Sequence, residues 1–263
     1  MNWDDAFANA PHIPGGSEYP ARWAAKAAAF RALVPPVVLE YGSHPRERVD
    51  LFRPEGEPRG LVVFVHGGFW RAFDQGDWSH LAAGALARGW AVALPGYVLA
   101  PEARIAAIGQ GIARAVRLAA GAVAGPVRLA GHSAGGQLVL RQVSAGGLLG
   151  TMGERVERVV SISGVHDLRP LLRTGMNADL RLDLGEARAE SPALMEPPEG
   201  VGVRLWVGAA ERPEFLRQSR LLAMIWEGLG AAPRLTEEAE RHHFDVIEGL
   251  ERAGSPLTEA VCG

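Results

Sequence analysis

Apolar positions along the chain fall into short runs separated by longer, more polar stretches. Leu61–Val65 (LVVFV) is an unbroken series of β-branched, aliphatic and aromatic residues, and WAVALP (90–95), PVRLAG (126–131), VERVVSIS (156–163) and VRLWVG (203–208) have strand length. A strand without a polar face suits the interior of a parallel sheet covered on both sides. Between these runs, residues 78–88, 103–120, 134–146, 213–229 and 243–251 fit helices. Shorter strands are expected at 37–41, 49–52 and 233–237, and the Ala-rich stretch 19–33 predicts a helix ahead of the sheet. This alternation predicts an α/β architecture in one domain, a mostly parallel sheet with helices on both faces. Two segments break the pattern. Residues 1–18, with Pro and Gly, read as a loose lead-in, and 165–200, with several prolines, read as a small irregular cap.

Composition narrows the function. Of 263 residues, 48% are hydrophobic and 22% charged, ordinary for a globular chain that can bury a core unaided. A net charge of −3 lacks the basic surplus that nucleic-acid binding needs. Lys26 is the only lysine, a bias read as genome composition. The single cysteine, Cys262, precludes an intramolecular disulfide and sits near a terminus expected to fray. The opening MNWDDAFANAPHIPGG does not have the order of a secretory signal. No apolar run reaches the ~18 residues of a membrane helix. The expectation is a cytoplasmic enzyme acting on a small molecule, with neither nucleic acid nor membrane as partner; a homodimer is compatible with this sequence.

The chemistry concentrates in two glycine-rich turns. Gly131-His132-Ser133-Ala134-Gly135 is a G-x-S-x-G between an expected strand and an expected helix, the setting of a nucleophile elbow. The turn is tight enough to demand small residues two positions either side of the serine. It would place the Ser133 hydroxyl at the carboxyl edge of the sheet and the Ala134 N–H at a helix N-terminus, poised for an oxyanion. His66-Gly67-Gly68-Phe69-Trp70 directly follows LVVFV, where a second oxyanion donor belongs. Gly68 is expected to supply it, with Gly67 or Phe69 as alternatives. His66 is expected to brace the loop. Phe69 and Trp70 are candidates for the substrate pocket, with the core as the alternative.

The order elbow, acid, base along the chain is that of the α/β-hydrolase fold. The base should follow the last strand, where His243 is favoured over His242 because it opens an apolar run with Phe244, Ile247 and Leu250. The acid should follow VRLWVG. Glu211 is the natural candidate, Glu214 the second and Asp167 the third. Without HExxH or CxxC, neither a metal nor another cofactor is expected.

Taken in order, HGGFW, PGYVLAPEARI, GHSAGGQL, SGVHDLRPLL, ERPEFLRQS and HHFD resemble the kynurenine formamidase (arylformamidase) family of α/β-hydrolases, as does YGSHPRERVDLFRP nearer the start. The match spans most of residues 36–250. It implies Ser133 as nucleophile, His243 as base and hydrolysis of N-formylkynurenine to kynurenine and formate. Glu211 stands where that family commonly has Asp. A carboxylesterase for short acyl esters would use the same triad, and a binding protein without catalysis is the reading from a different class.

Overall fold

The computed structural model describes residues 2–263. Eight strands form one sheet: β1 (Val37–Glu40), β2 (Arg48–Phe52), β3 (Leu61–Val65), β4 (Ala91–Pro95), β5 (Val127–His132), β6 (Val156–Ile162), β7 (Gly202–Gly208) and β8 (Arg234–Glu238). Their spatial order is β1-β2-β4-β3-β5-β6-β7-β8. β1 and β2 pair antiparallel, as do β2 and β4, and every other neighbour is parallel. This is the α/β-hydrolase fold.

The strands with no polar position lie at the centre. Every residue of β3 and β4 is buried, and Val63 stands opposite Ala93 on one side and Leu129 on the other. Alternate residues then serve opposite faces. Val63, Val65 and Leu129 share the core on one face with Ile108, Ile112, Leu138 and Trp226 of helices Ile105–Ala122, Ala134–Val143 and Pro213–Gly228. Val62, Phe64 and Ala130 pack on the other face with Trp23, Leu257 and Val261, from helices Tyr19–Leu33 and Pro256–Cys262.

Four segments depart from the sequence expectation. The helix expected over 78–88 is a 3-10 helix, Gln75–Ala82, running into a short α-turn, Ala83–Leu86, because a capping box between Asp74 and Asp77 starts it early. The helix expected over 243–251 is a 3-10 turn, Val246–Glu251. The C-terminus does not fray: Ser255 caps helix Pro256–Cys262, and Arg128 donates to the Val261 and Gly263 carbonyls. Burial there pushes the Cys262 thiol up to about 11.

The lead-in is not loose. It forms helix Trp3–Phe7 and 3-10 turns Ala10–His12 and Gly16–Glu18. Asp5 ties it down through His12 and Arg212, and the buried Phe7 ring meets Phe69 and Phe215 edge-on, at 6.3 and 6.0 Å between centroids. Polar and glycine-containing, this segment carries no periodic signal of its own; its order comes from tertiary contacts.

Buried histidines make stability depend on pH. Burial lowers the proton affinity of His66, His80 and His166 to about 4 and that of His132 well below its ordinary value. In the unfolded chain each titrates near ~6.5. Unfolding below that pH therefore takes up protons that the native state excludes, so their contribution is full above ~6.5 and is lost as pH falls towards 4. Asp50 and Glu190, raised by burial, act in the opposite sense. The melting temperature is expected to fall steadily from pH 7 to pH 4.5, with proton uptake on unfolding by calorimetry. A flat profile across that window would contradict this account.

Candidate active site

The strand-to-helix turn at Ser133 is held by contacts that admit no side chain. A β-carbon on Gly131 would fall on the Gly135 carbonyl oxygen, and one on Gly135 on that of Val65. Ser133 itself adopts φ 55° and ψ −117°, a region non-glycine residues rarely occupy, and its N–H donates to the Ile162 carbonyl at 2.8 Å. The strained turn carries the serine out of the end of β5 into a cavity, which it shares with His243.

His243 is oriented from three directions. Its Nδ1–H donates to Glu211 Oε2 at 2.6 Å, which leaves Nε2 as the free acceptor. The Phe215 ring lies 4.2 Å from the imidazole and the His132 ring 4.6 Å. Neutral by burial, His132 donates from Nε2 to the His243 carbonyl at 2.9 Å. No hydrogen bond joins Ser133 to His243 in this structure; catalytic contacts of this kind commonly tighten only with substrate in place.

Glu211 is fixed through its other oxygen. Oε1 accepts from the Gly208 N–H at 2.8 Å and from the Ser163 hydroxyl in a short hydrogen bond. Each carboxylate oxygen thus has one task, Oε1 anchoring and Oε2 facing the imidazole. Ser163 follows β6 with φ 52° and is fully buried. Sequence reasoning missed it, since a serine after a strand carries no chemical signal until the fold brings it to the Glu211 carboxylate. Ser163→Ala removes a donor from a buried charge and is expected to lower kcat by about 10–100-fold with little change in KM. Wild-type kcat in the purified variant would exclude this role.

The other acid and base candidates are engaged elsewhere. Glu214 pairs with Arg217, and Asp167 with Arg169. His242 has Tyr19 at its Nε2, while its Nδ1 accepts from backbone N–H groups.

The loop after β3 closes over the elbow. A β-carbon on Gly67 would lie 3.0 Å from both Ser133 Cβ and the His132 carbonyl. Gly68, at φ 108°, borders the cavity, and the Arg71 and Ala72 N–H groups return to its carbonyl at 3.0 and 3.1 Å. Neither the Gly68 nor the Ala134 N–H donates to a described residue. His66 braces the loop: Nδ1–H donates to the Gly67 carbonyl at 2.7 Å, and the ring stacks 4.3 Å from Tyr97. Phe69 lines the cavity, but Trp70 does not. Its side chain is fully buried, with Nε1 donating to Gln137 Oε1 at 3.1 Å, so the aromatic after Phe69 anchors the loop to the elbow helix as core.

The cavity measures about 730 Å³, in the range of small-molecule sites. Two aromatic groups wall it. Trp23 and Trp78 lie 4.7 Å apart with Phe73 and Phe244 around them, and Phe7 and Phe69 form the second group. Much of the covering comes from the N-terminal segment. From 165–200, the expected cap, only Met176 and Asp179 reach the cavity.

The sequence model of the alpha/beta hydrolase family matches residues 62–257. The chain belongs to the alpha/beta hydrolase family. This hydrolase is 26% identical over 225 residues to a kynurenine formamidase of Danio rerio, covering 81% of the chain and 75% of that protein. It is 48% identical to a candidate thioesterase of Silicibacter sp. TM1040, whose crystal structure superposes over all of both chains with a TM-score of 0.95. A Pyrobaculum calidifontis esterase, 17% identical, matches 93% of this hydrolase and 90% of its own chain with a TM-score of 0.69, a likeness of fold alone.

Proposed function

We propose that this hydrolase cleaves the formamide of N-formylkynurenine, giving kynurenine and formate through a formyl-serine. The observation that carries this reading is the cavity, where Ser133 and His243 meet two groups of aromatic side chains that suit an aryl amine. The similarity to a kynurenine formamidase supports it. His243 Nε2 takes the Ser133 proton as Oγ attacks the formyl carbon. The oxyanion is received by the Ala134 and Gly68 N–H groups, while Glu211 holds the imidazolium. His243 then protonates the aryl nitrogen and the C–N bond breaks. Water, deprotonated by His243, attacks the formyl-serine; the C–Oγ bond breaks as His243 returns that proton to Ser133, releasing formate.

A second reading, a carboxylesterase for short acyl esters, uses the same groups and is favoured by the 48% identity to a candidate thioesterase, whose name implies acyl transfer to water. The experiment is turnover of N-formylkynurenine beside a short-chain aryl ester by purified protein. A kcat/KM of about 10⁴ M⁻¹s⁻¹ or more for the formamide supports the first reading. Cleavage of the ester alone transfers the triad to an esterase. If neither is cleaved and a fluorophosphonate leaves Ser133 unlabelled, both readings fall.

A further inference from the structure

We propose that the Arg71–Asp179 ion pair at the cavity mouth recognises the zwitterionic head of an amino-acid substrate, Arg71 taking the carboxylate and Asp179, with Asp4, the ammonium. The inference rests on the formamidase reading for its substrate but on separate residues for its evidence. Apart from the histidines, Asp4, Arg71 and Asp179 are the only ionisable side chains among the described residues that line the cavity. They arrive from three distant parts of the chain. Arg71 stands in the turn whose N–H returns to Gly68, Asp179 in the turn Asn177–Leu180, and Asp4 in helix Trp3–Phe7. Asp4 also accepts from the Gly175 N–H at 2.7 Å, which ties the N-terminal segment to the one carrying Asp179.

The pair is built loosely. Arg71 Nη1 meets one oxygen of Asp179 at 2.6 Å, and Arg71 Nε is buried yet donates to no described residue. The two side chains are 32% and 48% exposed, so the pair meets solvent, whereas Ser133 is buried. Such a half-exposed, single-contact pair is worth little by itself. Exchanging it for a substrate's own two charges therefore loses little, and a carboxylate can take the guanidinium fork through two nitrogens. A substrate with its reacting carbonyl at Ser133 and its ring between the aromatic walls would extend a polar tail towards this pair. A neutral aryl ester or formamide has nothing to offer it.

The alternative is a latch that merely holds segment 174–180 against the oxyanion loop. The two are separated by comparing N-formylkynurenine with 2′-formamidoacetophenone, which has the same ring and formamide but no amino-acid head. Wild-type kcat/KM is expected to favour N-formylkynurenine by about 10–100-fold, the span of hydrogen bonds to charged groups. In Arg71→Met and Asp179→Asn that ratio is expected to collapse towards one, through KM. In the charge swap Arg71→Asp/Asp179→Arg, which preserves a latch, it should collapse as well. A ratio that survives while both rates fall would make the pair a latch and overturn the proposal, as would a wild type without preference.

Should the variants not fold, wild-type protein decides with analogues lacking only the carboxylate or only the ammonium. Each is expected to lose part of the preference, and equal turnover of all would overturn the proposal. If wild type cleaves no formamide, the formamidase reading fails separately. The same comparison on the corresponding phenyl acetates, with and without the amino-acid head, then tests the pair by the same criterion.

Discussion

Replacing Ser133 by alanine is expected to lower turnover of every ester or formamide substrate by about 10⁴–10⁶-fold. The magnitude follows from the arrangement of the site. The Gly68 and Ala134 N–H groups and the aromatic cavity would remain, so binding and some polarisation of the carbonyl would survive. The covalent route would not, because the hydroxyl that the strained elbow carries into the cavity with His243 would be gone. The fold should be unaffected: alanine fits where serine does, and the strained backbone, φ 55°, is common to both. The measurement pairs kcat with fluorophosphonate labelling read by intact mass, one adduct on wild type and none on the variant. Near-wild-type turnover in the variant would remove Ser133 as nucleophile and with it the proposed mechanism.

Glu211→Gln should be the second largest loss, about 10³–10⁴-fold in kcat. Glu211 accepts from three donors, the Gly208 N–H, the Ser163 hydroxyl and His243 Nδ1–H. An amide has only one acceptor oxygen. If that oxygen stays with Gly208 and Ser163, the NH₂ group faces His243 Nδ1 and forces the tautomer with the proton on Nε2, which cannot act as a base. If the amide flips, its NH₂ confronts the Gly208 N–H at the buried anchor. The negative charge that stabilises the imidazolium is lost in either orientation. Glu211→Asp isolates the effect of length: one methylene shorter, it cannot reach His243 while keeping both anchors. It should fall between wild type and Glu211→Gln. An unaltered kcat in Glu211→Gln would instead reassign the acid.

The central sheet could be read from the chain because burial on both faces leaves a one-dimensional trace. LVVFV and AVALP contain no polar residue, and a run of that length has few other uses. The elbow was legible for a steric reason, since only glycine fits at 131 and 135 against the carbonyls of Gly135 and Val65. Harder to read were positions whose meaning depends on what lies across the fold. Trp70 and Phe69 are adjacent aromatics in one loop, yet one is core and the other borders the cavity; the left-handed backbone at both, φ 58° and 49°, sets where each ring points. The lead-in looked loose because its prolines and glycines break any periodic pattern, yet Phe7 packs against Phe69 and Phe215.

Strand-helix alternation, the tight Gly131–Gly135 turn, the glycine loop after β3 and a short set of candidate acids and histidines could all be read along the chain. These are local matters: periodicity, steric need for glycine, and chain order. The tertiary structure decided which acid faces which imidazole, that Ser163 and Gly208 share the anchoring oxygen of Glu211, and that the N-terminal segment covers the cavity. It also set Arg71 against Asp179 across 108 positions of chain. Such pairings are made by loops at the carboxyl ends of separate strands. A loop's course is fixed by the few contacts it makes after the sheet has formed, and those contacts leave no periodic mark on the chain.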